Sequence, residues 1–221
     1  MEELIVKYIL LFFAYAFIGW CLEVTCKIIE FRRFVNRGFL IGPICPIYGR
    51  AGVLFIFFIY NTNNVFLVFL KSVLICSILE YAASFIMEKL FHARWWDYSH
   101  RKFNINGRIC LGTMVPFGLL GIFFKYGMHP FFESIVNLLS DNLVIVLAIT
   151  FIILYIIDNI IGYIAGFKLK KHITEVKKDS TEDYKVDKYE WIYKRIIKAF
   201  PHIHPIKTVT NIFSRNKKDN K

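Results

Sequence analysis

Residues 143–167 read LVIVLAITFIILYIIDNIIGYIAGF, an apolar run interrupted by a single charge, Asp158. A helix rises ~1.5 Å per residue, so a run of this length crosses the ~30 Å hydrocarbon core of a bilayer. Other apolar runs of suitable length are 4–25, 39–60, 65–87 and 109–124. The sequence therefore predicts an all-α, polytopic transmembrane helix bundle of about five spans within residues 1–167.

The second of these runs contains several helix-breaking residues. Gly42-Pro43 and Pro46 lie near its start, and Gly49 and Gly52 follow. Irregular backbone inside a bilayer must contact protein or a water-filled cavity, since lipid offers it no hydrogen bonds. The pattern predicts a span that is either kinked or partly unwound.

The composition excludes an ordinary soluble domain and separates the charge from the spans. Apolar residues make up 56% of the chain and aromatic residues 18%, with a net charge of +11. Residues 168–221 hold 15 Lys/Arg against 7 Asp/Glu, so most of the positive charge lies in this tail. Beside membrane spans, a basic tail indicates anionic lipid rather than nucleic acid as its partner.

Within the tail, apolar residues recur at helical spacing over about 188–200, with basic residues opposite them. The pattern predicts a basic amphipathic helix suited to the inner leaflet. A short helix that packs on the protein's own loops is the alternative. The apolar positions are Tyr189, Ile192, Tyr193, Ile196, Ile197 and Phe200.

Basic residues in the links between spans predict the orientation. The links over 26–38 and 88–108 contain four and five Lys/Arg, whereas 61–64 contains none and 125–142 contains one. By the positive-inside rule, the two basic links and the tail are cytoplasmic. The N-terminus is then outside, and the alternation is consistent through all five spans.

Ionisable residues inside the spans are candidates for function, because charge in a bilayer is costly. Counted in helical rise, they lie within roughly 15 Å of one another in depth, in the cytoplasmic half. Three interpretations stay open: pairing that holds the bundle together, with the arginine as counter-ion; a transport or ligand site; or a catalytic carboxylate. The residues are Glu23, Arg50, Glu80 and Asp158.

The densest polar segment follows the third span and reads HARWWDYSH over 92–100 and NINGR over 104–108. Trp and Tyr are typical of the headgroup level, but an acid between them exceeds what an anchor requires. Arg37, Arg94 and Arg108 could bind a phosphate, or serve only as topogenic charges. The candidates in the cytoplasmic links are Asn36, Arg37, Glu88, Trp95, Trp96, Asp97, Tyr98, Asn104, Asn106 and Arg108.

Sequence motifs for cofactors are missing. Five cysteines without a C-x-x-C pair predict neither a zinc site nor a disulfide framework, so no metal is expected. The chain has no phosphate-binding glycine loop, so an ATP-driven role would require a separate ATPase subunit.

Two blocks of sequence resemble a known family. The first reads NRGFL over 36–40, GP at 42–43 and PIYG over 46–49; the second includes LEY over 79–81, MEKLF over 87–91, WWDYS over 95–99 and NINGRICL over 104–111. With these strings the chain resembles the bacterial membrane proteins described as putative ABC-transporter permease, type IV, also called CmpB-like. The resemblance implies a bacterial inner-membrane protein. Arg50 departs from it, since an apolar residue is expected after the PIYG string.

These observations favour a permease-like transport component with a polar site in the cytoplasmic half of the bilayer. An intramembrane lipid-modifying enzyme and a non-catalytic regulatory or scaffold protein are the alternatives. Enzymatic activity is the less expected of these functions, and no cofactor is predicted.

Overall fold

A computed structural model describes residues 2–176, 195–196, 199–200 and 204–205. It confirms the all-α prediction. A π-helical turn, Phe124–Met128, joins α4 to α5 without a break in the helix. The helices are α1 (Glu2–Phe31), α2 (Pro46–Phe58), α3 (Val65–Phe91), α4 (Leu111–Phe123), α5 (His129–Leu138) and α6 (Asp141–Val176).

Among residues 2–176, four helical stretches are long and apolar enough to cross a membrane. They are Glu3–Phe31, Val65–Phe91, Leu111–Leu138 and Asp141–Lys170. Large apolar side chains on their outer surfaces, such as Leu154 and Ile157 of α6, are half exposed. Because lipid is the solvent that favours such a surface, the chain is a multi-pass membrane protein.

The second apolar run has the unwound form. Residues 39–45 are non-helical, and α2 begins at Pro46, whose missing N–H costs nothing in a first helical turn. With 13 residues, α2 is about 20 Å long and reaches across only part of a bilayer. Residues 38–45, which are non-helical and lie directly before α2 in the sequence, are here called the unwound segment.

The fourth helix is longer than predicted. The span expected to end at residue 124, with a link over 125–142, continues as helix to Leu138. Lys125 ended the apolar run in the sequence, but its ammonium group donates a hydrogen bond to the carbonyl of Thr62. A charge satisfied in this way does not interrupt a helix.

Glycines allow the helices to approach closely. Gly49 and Gly52 of α2 face Phe12 and Tyr15 of α1, and Gly121 of α4 faces α3. In the same way, Gly162 and Gly166 of α6 contact the rings of Phe39 and Phe91. Small residues on one helix face permit such contacts in membranes, where van der Waals packing favours association.

The links separate into two groups at opposite ends of the bundle. Phe39 packs against Phe91, Trp95 and Tyr163, so segment 32–45, loop 92–110 and the far end of α6 meet at one end, here called the basic end. The short connections 59–64 and 139–140 lie at the opposite, turn end. There, the Lys7 ammonium donates to Asn137 at 3.3 Å.

Two pairs of short strands lie at the basic end. Strand β2 (Asn104–Ile105) pairs antiparallel with β3 (Ile109–Cys110), and β1 (Ala93–Arg94) pairs antiparallel with β4 (His204–Pro205) of the tail. Ile196, Ala199 and Phe200 are buried against a cluster that includes Trp95 and Phe91. The described part of the tail thus packs on the protein, while most of the helix predicted over 188–200 lies outside the described residues.

Candidate functional site

Asp158 binds the backbone of the unwound segment. Its Oδ1 accepts a hydrogen bond from the amide of Ile41 at 2.8 Å, and its Oδ2 accepts one from Gly42 at 2.9 Å. Backbone amides outside a helix need acceptors when water is scarce, and a carboxylate is a strong one. Both oxygens of this acid therefore have a structural partner.

The carbonyls of the same segment also receive side-chain donors. The Arg195 guanidinium donates to the carbonyl oxygens of Gly38, Phe39 and Leu40 at 3.3, 2.7 and 2.8 Å. The Asn36 amide donates to the Ile41 carbonyl at 2.9 Å. Side chains from α6, the tail and the first link thus replace the hydrogen bonds that a helix would supply.

Glu80 differs from Asp158, because one of its carboxylate oxygens has no hydrogen-bond partner among the described residues. The residue is 9% exposed on α3, and its Oε1 accepts a hydrogen bond from the Tyr98 hydroxyl at 3.4 Å. Its Oε2 and the hydroxyl of Ser77, which is buried one turn away, find no hydrogen-bond partner among the described residues. Burial raises the pKa of Tyr98 above its ordinary range, and the charge of Glu80 raises it further.

Glu23 lies in the same region. Its Oε1 accepts a hydrogen bond from the Tyr48 hydroxyl at 2.9 Å, and its Oε2 is 3.5 Å from Nε of Arg37. The charge of Glu23 also contributes to the raised pKa of Tyr98, after burial and the charge of Glu80. Glu23, Tyr48, Glu80 and Tyr98 are here called the carboxylate cluster.

Arg50 is not the counter-ion in this arrangement. Its guanidinium is exposed and donates to the Tyr155 hydroxyl at 3.5 Å, and it forms no ion pair with any residue that the structure describes. Arg37 instead pairs with Glu23. The two candidate arginines near α2 therefore have different roles.

The WWDYS loop is held by a network around Glu88. One oxygen of Glu88 accepts hydrogen bonds from Arg108 at 2.6 Å and from Arg94 at 3.1 Å. The Glu88 carboxylate raises the pKa of Arg108. Arg94 also lies 3.4 Å from Asp97, whose Oδ1 caps the amide of Ser99 at 2.9 Å. The network connects α3 to the loop and to the approach of α4.

Asp97 remains ionised at neutral pH. Partial burial raises the pKa of Asp97, but hydrogen bonds from Ser99 and the charge of Arg94 outweigh burial, so the pKa lies below its usual value. Asp97 thus stabilises the loop as an anion.

Asn106-Gly107 forms a tight turn between β2 and β3. Both residues have positive φ, 52° and 67°, and the Arg108 amide donates to the Ile105 carbonyl at 3.0 Å. This is the type I′ hairpin turn for which Asn-Gly is the preferred pair. Asn104 accepts from the Gly107 amide at 3.0 Å, which explains its presence in the loop without any role in chemistry.

The two tryptophans face the protein. Trp95 is 2% exposed and packs edge-on against Phe39, Phe91 and Phe200. Trp96 donates through Nε1 to the Arg108 carbonyl at 3.1 Å. The string thus forms part of the core at the basic end, although headgroup anchoring was its plainest interpretation.

The three arginines that could bind a phosphate do not share one set of contacts. Arg94 and Arg108 share Glu88, whereas Arg37 pairs with Glu23 and lies over the Phe200 ring at 4.5 Å. In the described ranges, no group of three His, Cys, Asp or Glu side chains is placed to hold a metal ion.

Several partners were missed in the sequence because they are single polar residues in apolar surroundings. Tyr48 and Arg195 carry no signal for a site in the linear pattern, and only packing brings Tyr48 to Glu23 and Arg195 to the carbonyls of the unwound segment. The signal for Ser77 was present, since it shares a helix face with Glu80 at i, i+3.

Comparison with known proteins gives one family. Residues 10–163 match the family model described as Putative ABC-transporter type IV. The match includes every residue of the carboxylate cluster and the whole WWDYS loop. No curated protein and no solved structure matches the chain.

Proposed function

Since the chain belongs to the putative ABC-transporter type IV family, we propose that it is a permease-like transport component whose carboxylate cluster contacts the transported solute. Membership of the family and the four membrane-crossing helices support a role in membrane transport. The site and the direction of access are proposals from the geometry.

The unpaired oxygen of Glu80 is the observation on which this proposal rests. A buried acceptor without a hydrogen bond costs ~1–3 kcal/mol, and more when it is charged. The Ser77 hydroxyl, also unpaired in the described structure, lies on the same helix face. A hydrogen-bond donor from a solute, or a bound cation, would remove the penalty at Glu80.

The cluster is proposed to open toward the basic end. Tyr98 belongs to the WWDYS loop and Tyr48 follows the unwound segment, so both phenols lie on elements without the full constraint of a spanning helix. The positive-inside pattern of the links supports a cytoplasmic location for this end, with the N-terminus outside a bacterial inner membrane. Access would then be from the cytoplasm.

Energy for transport is proposed to come from a separate ATPase subunit that docks at the basic end. The sequence contains no phosphate-binding glycine loop. The basic tail is proposed to contact anionic lipid of the inner leaflet through residues beyond those that pack on Trp95.

The lipid-modifying alternative gains no support from the arginines. Each of Arg37, Arg94 and Arg108 already faces a carboxylate. A headgroup phosphate would have to displace Glu23 or Glu88 from an ion pair that already exists.

Complementation of a deletion strain tests the proposed site. Metabolite levels would be measured in cells and in medium for the deletion and for strains that express wild-type, Glu80→Gln or Glu30→Gln protein. Glu80→Gln should fail to restore the wild-type distribution, although membrane fractionation shows normal insertion. Glu30, an exposed acid that pairs with Lys27, is the matched control and should restore it. An unchanged distribution in the deletion, or full rescue by Glu80→Gln, would contradict the proposal.

A further inference from the structure

A cavity of about 400 Å³ lies at the turn end of the bundle, away from the carboxylate cluster. Its volume falls within the range of pockets that hold small molecules, ~300–1,000 Å³. The first turns of α1, the end of α2 and one face of α5 form its walls. Its polar lining consists of Lys7, Tyr8, Tyr60, Asn61, His129, Glu133 and Asn137.

Two helices present their polar residues to this space. His129, Glu133 and Asn137 follow one another at i, i+4 and i+8, so they share one face of α5. Lys7 extends from α1 on the other side and donates to Asn137 at 3.3 Å. The polar residues of α1 and α5 are thus concentrated on the surfaces that line the cavity.

The two charges of the cavity are not paired with each other. Lys7 is bonded only to a neutral amide, and Glu133 has neither a hydrogen bond nor an ion pair within the part of the chain that the structure describes. Both side chains are partly buried. An ammonium group and a carboxylate that line one cavity without contact leave a gap between opposite charges.

His129 is held rigidly in the wall of the cavity. It is 1% exposed, and its Nδ1 is 2.7 Å from the hydroxyl of Tyr15. The Phe124 ring is stacked on the imidazole, and the Tyr60 ring meets it edge-on with centroids 4.5 Å apart. With Nδ1 engaged, Nε2 is the ring atom that remains to bind a ligand.

We propose that this cavity binds a small zwitterionic solute of the amino-acid type. Its carboxylate would pair with Lys7 and its ammonium group with Glu133, while His129 supplies a neutral hydrogen bond. A zwitterion satisfies both unpaired charges at once, whereas a singly charged ligand leaves one of them desolvated. The proposal does not depend on transport through the carboxylate cluster.

Binding to the purified full chain in lipid nanodiscs tests the assignment. The probes are radiolabelled L-alanine and L-glutamine, with propionate and ethylamine as competitors that carry one charge each. We expect saturable binding of an amino acid that neither competitor displaces well. Loss of one charge-assisted hydrogen bond should weaken binding on the order of 10- to 100-fold in Lys7→Gln and in Glu133→Gln. Glu3→Gln, an exposed acid on α1, should bind as wild type does.

If a single variant folds poorly, a double variant in which Lys7 and Glu133 exchange their charges still tests the proposal. The double variant Lys7→Glu with Glu133→Lys retains both charges and should regain binding relative to either single variant. The proposal is overturned if neither amino acid binds wild-type protein, if the single variants bind normally, or if propionate or ethylamine competes as well as the amino acid. Lower thermal stability of Glu133→Gln without amino-acid binding by the wild type would also overturn the proposal and would assign Glu133 a structural role only.

Discussion

The backbone amide of Gly42 donates a hydrogen bond of 2.9 Å to Oδ2 of Asp158, from the unwound segment to the middle of α6. Together with the bond from Ile41 to Oδ1, it gives a membrane-embedded acid two backbone partners. An acid in the bilayer is expected to have a function, and here the geometry supplies a structural one: Asp158 stabilises the stretch where a helix is missing.

Asp158→Asn should destabilise the protein. An amide presents only one oxygen, so one of the two amides would face an NH₂ group and lose its acceptor. We expect a loss of ~1–3 kcal/mol in the free energy of unfolding, measured by denaturant unfolding in detergent micelles, and faster hydrogen exchange at Ile41 and Gly42. Asp141→Asn, an exposed acid at the start of the same helix, should lose less than about 1 kcal/mol. If Asp158→Asn had normal stability but lost transport, Asp158 would have a functional role rather than a structural one.

Four of the five predicted spans correspond to helices long enough to cross a membrane, because bilayer thickness fixes the length of an apolar run. The unwound segment also followed from local chemistry, since Gly42-Pro43 and Pro46 disfavour helix there. The partners of Asp158 could not be predicted in this way. They depend on how α6 packs against residues far away in sequence, which no local pattern encodes. The length of the fourth helix was missed for a similar reason, because the partner of Lys125 is in another link.

The sequence predicted which acids lie near one another in depth, but it did not predict which of them have hydrogen-bond partners. Counting helical rise placed Glu23, Glu80 and Asp158 within roughly 15 Å of one another in depth, because the rise per residue is regular. Which acid is satisfied and which is not depends on side chains such as Tyr48 and Tyr98, whose positions depend on tertiary packing. Arg50 was expected to be the counter-ion, whereas Arg37 is the arginine that pairs with Glu23, because this pairing also depends on tertiary packing.

Gly107→Ala should disturb the WWDYS loop. Gly107 has a φ of 67°, and an added Cβ would collide with Asp97 and Ser99. We expect a loss of more than about 1 kcal/mol in unfolding free energy, measured in the same detergent assay. Gly112→Ala is the matched control, since its Cβ would meet only Sγ of Cys110 at 3.7 Å. Equal stability of the two variants would show that the turn tolerates a side chain.

The loop should also become less stable in acid through Asp97. The folded-state pKa of Asp97 is lowered, so its contribution is present above its unfolded value and is lost as the pH falls through the folded value, below about 4. Wild-type protein should therefore lose more stability than Asp97→Asn between about pH 5 and pH 3. Thermal unfolding across this range measures the difference, and parallel pH profiles would exclude Asp97 as a contributor.

Tyr98→Phe isolates the hydrogen bond on which the carboxylate cluster depends. The change removes the hydroxyl that donates to Glu80 and leaves the ring, so neither oxygen of this buried acid retains a described partner. If Glu80 binds solute, its geometry should loosen, and the apparent affinity for transport should fall about 10-fold. Complementation at graded solute concentration, once profiling has identified the solute, measures this fall. Tyr81→Phe is the control, because its hydroxyl accepts from Asn106 at 2.9 Å and belongs to the loop network instead. A similar loss in both variants would indicate that the loop as a whole, rather than the Tyr98–Glu80 contact, sets the activity.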